Sequence, residues 1–571
     1  MSSKKKQTSS ESGLQLVKDA DLRPTNVREL QRAPDSLPPG EDSINVDPST
    51  LTTIIAILLA TRQRAYSNLE QIILGEENSV DEETQNANDY FKEYLRENVE
   101  AAKIIAEMQE IINEFQERMP RILKSKCIDG RVHGSKAIGR PQTTVLFCRT
   151  DGGNLDTSCD NTVFWGRVAM VVQDAKVNTP GTPAIFFALG HHATEGYGGG
   201  CAAHNGDYNK ALQAAKDQVD AVRKEYKSSN DIYCIYGMQN TTDMSESLIF
   251  EDGSQIDNAQ LLDELELNDP IDLFQDNFLD TKITDVATNR YVNGLTPRQQ
   301  LTGGASVPMY SNLQTTLAME AYLSRELCSI QGAGSTRNFI LKPKIFELLQ
   351  GKLNAVEGLP DSLKGSLLYQ MVWNMAYTLH QRNRLAQMTT DESTLYLEHA
   401  EDLVCYGEGF ELLPRNKAIL AKTGRGKDKE ALEVAKNVLM KNRKKRSDSG
   451  KAQDHLPLVH INVEVTGGIN NWDTLNVLVQ APLSARLKIV REVFGDDVRV
   501  LTTYSHQHEK QFYPIKIQPE ILDATGTVSK GDPRECFPMS TVRGLKRKNT
   551  TKDELERRQM AYRDLMLKAA A

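Results

Sequence analysis

Between Cys127 and Gly237 the chain alternates short apolar runs with glycine-containing loops and one amphipathic helix, a pattern that points to an α/β unit. Thr144-Val145-Leu146-Phe147, Val168-Ala169-Met170-Val171-Val172, Ala184 to Leu189 and Ile232 to Gly237 read as strands. Residues 208–226 read as a helix with Leu212, Ala215, Val219 and Val222 on one face. Strand, loop, helix, strand implies a largely parallel core. A second unit of the same texture starts at Leu456. Its predicted strands are Leu458 to Val465, Leu475 to Val479 and Val498 to Tyr504, with a helix from Ser484 to Phe494. No close sequence repeat is visible, yet two α/β units in one chain read as diverged copies.

The 571 residues allow three or four domains. Residues 1–48 are rich in Ser, Pro and charge, without a period, and read as a disordered segment. Residues 49–124 read as a helical domain: Leu51, Ile54, Ile55 and Leu58 share one face, and Ala102, Ile105, Met108, Ile112 and Phe115 share another. The first α/β unit, an acidic loop-rich stretch over 240–300 and helices over 310–412 together form a domain spanning 125–412. A charged linker (413–455) and a terminal α/β domain with a charged helical tail (456–571) follow.

Lys and Arg number 68 against 77 Asp and Glu, a net charge of −9, which argues against nucleic acid and anionic membrane as partners. The cluster around Lys441 to Arg446 reads as a solvated face, and Thr423 to Lys427 lacks P-loop spacing. Met1 to Ser10 is basic and polar with no apolar core behind it, and Ile54 to Ala60 is too short to span a bilayer. The expectation is an intracellular protein. Eight irregularly spaced cysteines form no disulfide framework.

Three short segments carry coherent chemistry: Cys127-Ile128-Asp129-Gly130-Arg131, Gly190-His191-His192 and Cys201-Ala202-Ala203-His204. Two thiolates and an imidazole are good zinc ligands, and three protein ligands leave the fourth tetrahedral position open. Gly190-His191 falls at the expected carboxyl end of a strand, where sites form in open α/β sheets. On an extended segment Cys127, Asp129 and Arg131 share one face, so that Arg131 holds the Asp129 carboxylate beside the metal. Spacing alone leaves three readings open: a catalytic zinc, a structural metal closed by His192 or His204, and no metal. The other six cysteines read as small core residues.

These segments resemble the carboxysomal carbonic anhydrases, the divergent β-class enzymes once set apart as the epsilon class. Residues 127–131 resemble the first motif of that family. Cys201-Ala202-Ala203-His204, with the helix after it, resembles the second. His399-Ala400-Glu401 with Tyr406-Gly407-Glu408-Gly409-Phe410 resembles the run before the family's last domain. The resemblance implies a helical domain, a β-carbonic-anhydrase-like catalytic domain and a C-terminal copy that has lost its ligands, since 456–571 has no Cys-x-Asp-x-Arg. It implies zinc held by Cys127, His191 and Cys201, with Asp129 and Arg131 catalytic, and reversible hydration of CO2 to bicarbonate. His191 is preferred over His192 because Ala188-Leu189-Gly190-His191 resembles the strand-end Gly-His of ordinary β-carbonic anhydrases.

The resemblance further implies a homo-oligomer in a carboxysome beside Rubisco and shell proteins. Two features depart from the family: the first fifty residues do not match its docking motif, and His191-His192 is doubled. His192 and His204 are proton-shuttle candidates by proximity only. His399 and Glu401 read equally as interface residues and as binding residues. The competing readings are a microcompartment scaffold protein with a structural zinc, and a hydrolase acting on another electrophile.

Overall fold

The computed structural model describes residues 82–517, apart from 133–136, 159–160, 196–199, 228, 283–295, 303–312, 331–339, 390–400, 411–417, 421–427, 449–455, 466–475, 497, 507–509 and 516. The segment 1–48, the run from Leu51 to Leu58, Thr423 to Lys427 and the charged tail lie outside the described residues. Among the described residues no helix is long and apolar enough to cross a membrane.

Two helices, α1 (Glu82–Glu107) and α2 (Gln109–Arg118), are separated at Met108, whose φ of −93° and ψ of 10° leave helical geometry. The first sheet follows, with β1 (Ile122–Cys127), β2 (Val145–Thr150), helix α3 (Thr162–Asn178), β3 (Ala184–His192), helix α4 (Tyr208–Glu225), β4 (Ile232–Asn240), β5 (Glu246–Ile249) and β6 (Gln255–Asp257). Its strand order is β2-β1-β3-β4-β5-β6, parallel through β4 and antiparallel beyond. Helices α5 (Leu313–Cys328), α6 (Pro343–Ala355) and α7 (Asp361–Gln387) come next. The second sheet contains β7 (Leu403–Gly407), β8 (Ala418–Leu420), helix α8 (Asp428–Asp448), β9 (Leu458–Val465), helix α9 (Ala481–Phe494), β10 (Arg499–His506) and β11 (Phe512–Pro514). Its order is β11-β10-β9-β7-β8.

Counted within each sheet, both run second, first, third, fourth, fifth. In both, the first four strands are parallel and the fifth is antiparallel. Helices connect second to third and third to fourth strands in each. The fold is therefore α/β with two mixed sheets of matching topology.

Strand alternation decides what each face meets. In β3, Ile185, Phe187 and Leu189 join a core built from α2 and α5 to α7, with Leu317, Trp373 and Met375 among its members. Phe186 and Ala188 face the opposite way, onto Phe164, Val168 and Val171 of α3 and Val219 and Val222 of α4. In the second sheet, Val404, Tyr406, Val459 and Ile461 pack on Leu432 and Leu439 of α8 and Leu483 and Val490 of α9. The other face of that sheet is covered by α1, whose Phe91, Tyr94 and Leu95 cluster with Leu403, Cys405 and Phe512. The C-terminal part of α1, through Ala102 and Ile105, belongs to the first core. Among the described residues α1 thus contributes to the cores of both sheets.

Several sequence expectations change. Val168 to Val172, read as a strand, lies inside α3. Asn161 caps that helix by accepting the Phe164 N–H at 3.2 Å, and Phe164, Val168, Val171 and Ala175 recur at helical spacing on its buried face. Of the predicted strand Leu475 to Val479, the described part is likewise no strand: Asn476–Gln480 is a single π-helical turn running into α9. The boundary between α/β units also shifts. Leu403–Gly407, placed with the first domain by sequence, hydrogen-bonds to β9 in the second sheet. The stretch read as a charged linker supplies β8 and α8, because Ala431, Leu432, Ala435 and Leu439 form an apolar stripe beneath its charges.

Candidate metal centre

The site is built on the loop leaving β1. Cys127 ends the strand, and the chain then turns: Ile128 N–H donates to Thr150 O at 2.9 Å and Val132 N–H to Asp129 O at 3.1 Å. Asp129 and Arg131 meet through this turn, not along an extended segment as the sequence reading supposed. The Arg131 backbone N–H donates to Asp129 Oδ1 at 2.9 Å, and the guanidinium closes on the same carboxylate through Nε (3.1 and 3.2 Å) and Nη2 (2.7 Å). Both side chains are buried. Burial alone would lower the Arg131 pKa, but the Asp129 charge and hydrogen bonds, with Glu401 and Cys127 behind them, carry it above its ordinary value.

Three further groups fix the loop. Arg149 on β2 is fully enclosed and donates to the carbonyls of Cys127 (3.1 Å), Asp129 (2.7 Å) and Val132 (3.2 Å). Burial pulls its pKa down to about 10, which leaves it charged at neutral pH. Lys126 Nζ donates to Val132 O at 2.5 Å. From the second α/β unit, Glu401 accepts the Gly130 N–H at 3.0 Å and is itself held by Asn442 Nδ2 on α8 at 3.3 Å. Glu401 therefore sits at the junction of the two units. His399 lies outside the described residues.

His191 comes from the end of β3. Gly190 before it lets α4 approach: a Cβ there would stand 2.8 Å from Ala211 O and 2.6 Å from Met238 Sδ. Cys201 precedes a 3-10 turn, Ala202–His204, and its carbonyl accepts from the backbone N–H of His204 (3.1 Å) and Gly206 (2.9 Å). The loop, the strand end and the turn bring one ligand atom each from Cys127, His191 and Cys201 within 4.8 Å of one another, all three residues buried. Among the described residues this is the one group of three or more His, Cys, Asp or Glu placed to hold a metal ion. His192 turns away, its ring edge-on to Tyr208 with centroids 5.1 Å apart. His204 Nε2 lies 2.9 Å from the Gly152 carbonyl. Neither joins the group.

The residues present fit a metal. Both ring nitrogens of His191 are buried with no hydrogen-bond partner, a costly state unless a ligand takes one of them. The thiols are coupled: the hydrogen bond to Cys201, reinforced by burial, pushes Cys127 well above the ordinary thiol range, and the same bond lowers Cys201. A cation bound between the two sulfurs would displace the thiol protons. Asp129 Oδ2 stands 3.8 Å from His191 Nε2, so the carboxylate held by Arg131 faces the same space.

Sequence reading named the three ligand candidates and the Asp129–Arg131 pair. It missed Arg149, whose only signal is a lone charge ending the apolar run Val145-Leu146-Phe147-Cys148. At the corresponding end of the second sheet, Arg486 Nη2 donates to both Glu408 oxygens at 2.8 Å, and Lys510 pairs with Glu464 at 2.5 Å. No family model matches the chain, and no curated protein matches it significantly.

Proposed function

We propose that the chain is a zinc-dependent carbonic anhydrase catalysing reversible hydration of CO2 to bicarbonate, and that it supplies CO2 to Rubisco within a carboxysome. The observation that carries the enzymatic reading is the convergence of Cys127, His191 and Cys201 on one point, with Asp129 held beside it by Arg131. The carboxysomal setting and the choice of CO2 rest on the resemblance of 127–131, 201–204 and 399–410 to that family.

Bound zinc supplies Lewis acidity that makes water a nucleophile near neutral pH. Cys127 and Cys201 provide two negative charges, and His191 a neutral donor. Asp129, whose Oδ2 lies 3.8 Å from His191 Nε2, would accept a hydrogen bond from a water held there and so orient it. Arg131 would keep that carboxylate in place and off the ion, through four hydrogen bonds. Arg149 and Glu401 hold the backbone that carries both.

The test is 18O exchange between CO2 and bicarbonate on protein of measured zinc content, beside Cys127→Ser. Exchange should scale with zinc, and the variant should lose zinc and exchange together. Full zinc occupancy with exchange no faster than buffer refutes the reading. A fourth protein ligand found on the ion would favour the scaffold protein with a structural zinc.

A further inference from the structure

Gln239 is fully buried on β4, yet neither its side-chain Oε1 nor its Nε2 has a hydrogen-bond partner. Burying an amide in that state is costly, so an occupant that satisfies it is expected. Its place in the sheet says which one. β3 and β4 are parallel, and Gln239 is the register partner of His191. Register partners on adjacent strands stand about 4.8 Å apart with side chains on the same face, so amide and imidazole leave the sheet together, and no hydrogen bond joins them. The other cross-strand neighbour, Glu246, is the register partner on β5 and is engaged by Lys124 at 2.7 Å. The amide and both ring nitrogens of His191 are thus three unpartnered polar functions in one buried row.

We infer that Gln239 is a positioning residue for His191, its Oε1 accepting the N–H of whichever ring nitrogen does not bind the metal. An imidazole that gives one nitrogen to a cation carries its proton on the other, and that N–H needs an acceptor to fix tautomer and ring orientation. Asp129 is committed to Arg131 and stands 3.8 Å from Nε2, beyond hydrogen-bond reach. Gln239 is the uncommitted acceptor in the same row. The inference rests on Cys127, His191 and Cys201 being the ligand set.

The experiment measures zinc affinity by chelator competition on the full chain and on Gln239→Met and Gln239→Glu, with the melting temperature of each metal-free protein. Gln239→Met, close in size but without an acceptor, should lose about 10- to 100-fold in zinc affinity. Its metal-free form should melt at the wild-type temperature or above, because an unpaired buried amide has gone; a merely space-filling role would lower it. Gln239→Glu keeps an acceptor and should restore affinity. Cobalt substitution adds a signature: the d–d spectrum should shift in Gln239→Met and stay wild-type in Gln239→Glu. Affinity of Gln239→Met within twofold of wild type overturns the inference while leaving the proposed function intact. A wild-type chain that binds no stoichiometric zinc overturns both.

Discussion

Replacing Glu401 with leucine removes the carboxylate that the second α/β unit extends to the Gly130 N–H. A hydrogen bond to a charged group contributes about 1.5–3 kcal/mol, and an N–H left buried without a partner costs about 1–3 kcal/mol. With about 2 kcal/mol lost, the loop's native conformation falls roughly 30-fold relative to alternatives. Gly130 lies between Asp129 and Arg131, so the displacement is felt by the carboxylate, not by Cys127, which stays anchored through β1 and the Arg149 clamp. A misplacement of about 1 Å costs on the order of 100-fold in rate. Glu401→Leu should therefore retain zinc and lose about 30- to 100-fold in CO2 hydration. Glu401→Gln, which keeps a neutral acceptor, should lose about 10-fold or less. Stopped-flow hydration with metal analysis reads the rate, and amide exchange across residues 128–132 reads the loop. Wild-type turnover in Glu401→Leu, with unchanged protection at Gly130, refutes the coupling.

Two further outcomes are expected. Arg131→Ala frees Asp129 to compete for the ion and should cut turnover about 100-fold or more while zinc stays bound; near-normal hydration removes the role assigned to Arg131. His380 on α7 is pushed down to about 4 by burial, aided by the Arg384 charge. Its folded pKa lies below the ordinary 6.5, so its contribution is fully present above pH 6.5 and lost as pH falls toward 4. The full shift corresponds to about 3 kcal/mol, less whatever its partial solvent access screens. His380→Gln should flatten the acid limb of a denaturant-midpoint profile between pH 6.5 and 4, and an unchanged limb contradicts the assignment.

The strand that leads to His191 was legible, whereas β1, which ends in Cys127, was not, since Ile122 to Lys124 fell in the stretch read as helical. Ala184 to Leu189 is an unbroken apolar run, and it lies within β3, which continues three residues further through Gly190-His191-His192. Val168 to Val172 misled because β-branched runs fit a strand equally well; a polar cap at Asn161 and burial at helical spacing decided otherwise. Leu403–Gly407 is apolar enough for either sheet, and its register with Leu458 to Asn462 is a long-range pairing that no local window holds. The same holds for Glu401, Arg149 and Gln239. Each is an ordinary polar residue in sequence, and its role arises from what the tertiary fold sets beside it.

The bond between Gly130 and Glu401 spans 271 positions of sequence. At about 5–20 residues per second of synthesis, the ribosome needs roughly 15–50 s to travel from one to the other. From Cys201 onward Cys127, His191 and Cys201 all exist as chain while the loop between Asp129 and Arg131 still lacks its clasp, and Asn442 is later still. If the group binds an ion as proposed, the order of translation would separate its capture from the setting of the Asp129 loop, because the residues that clasp that loop are made after all three ligand candidates.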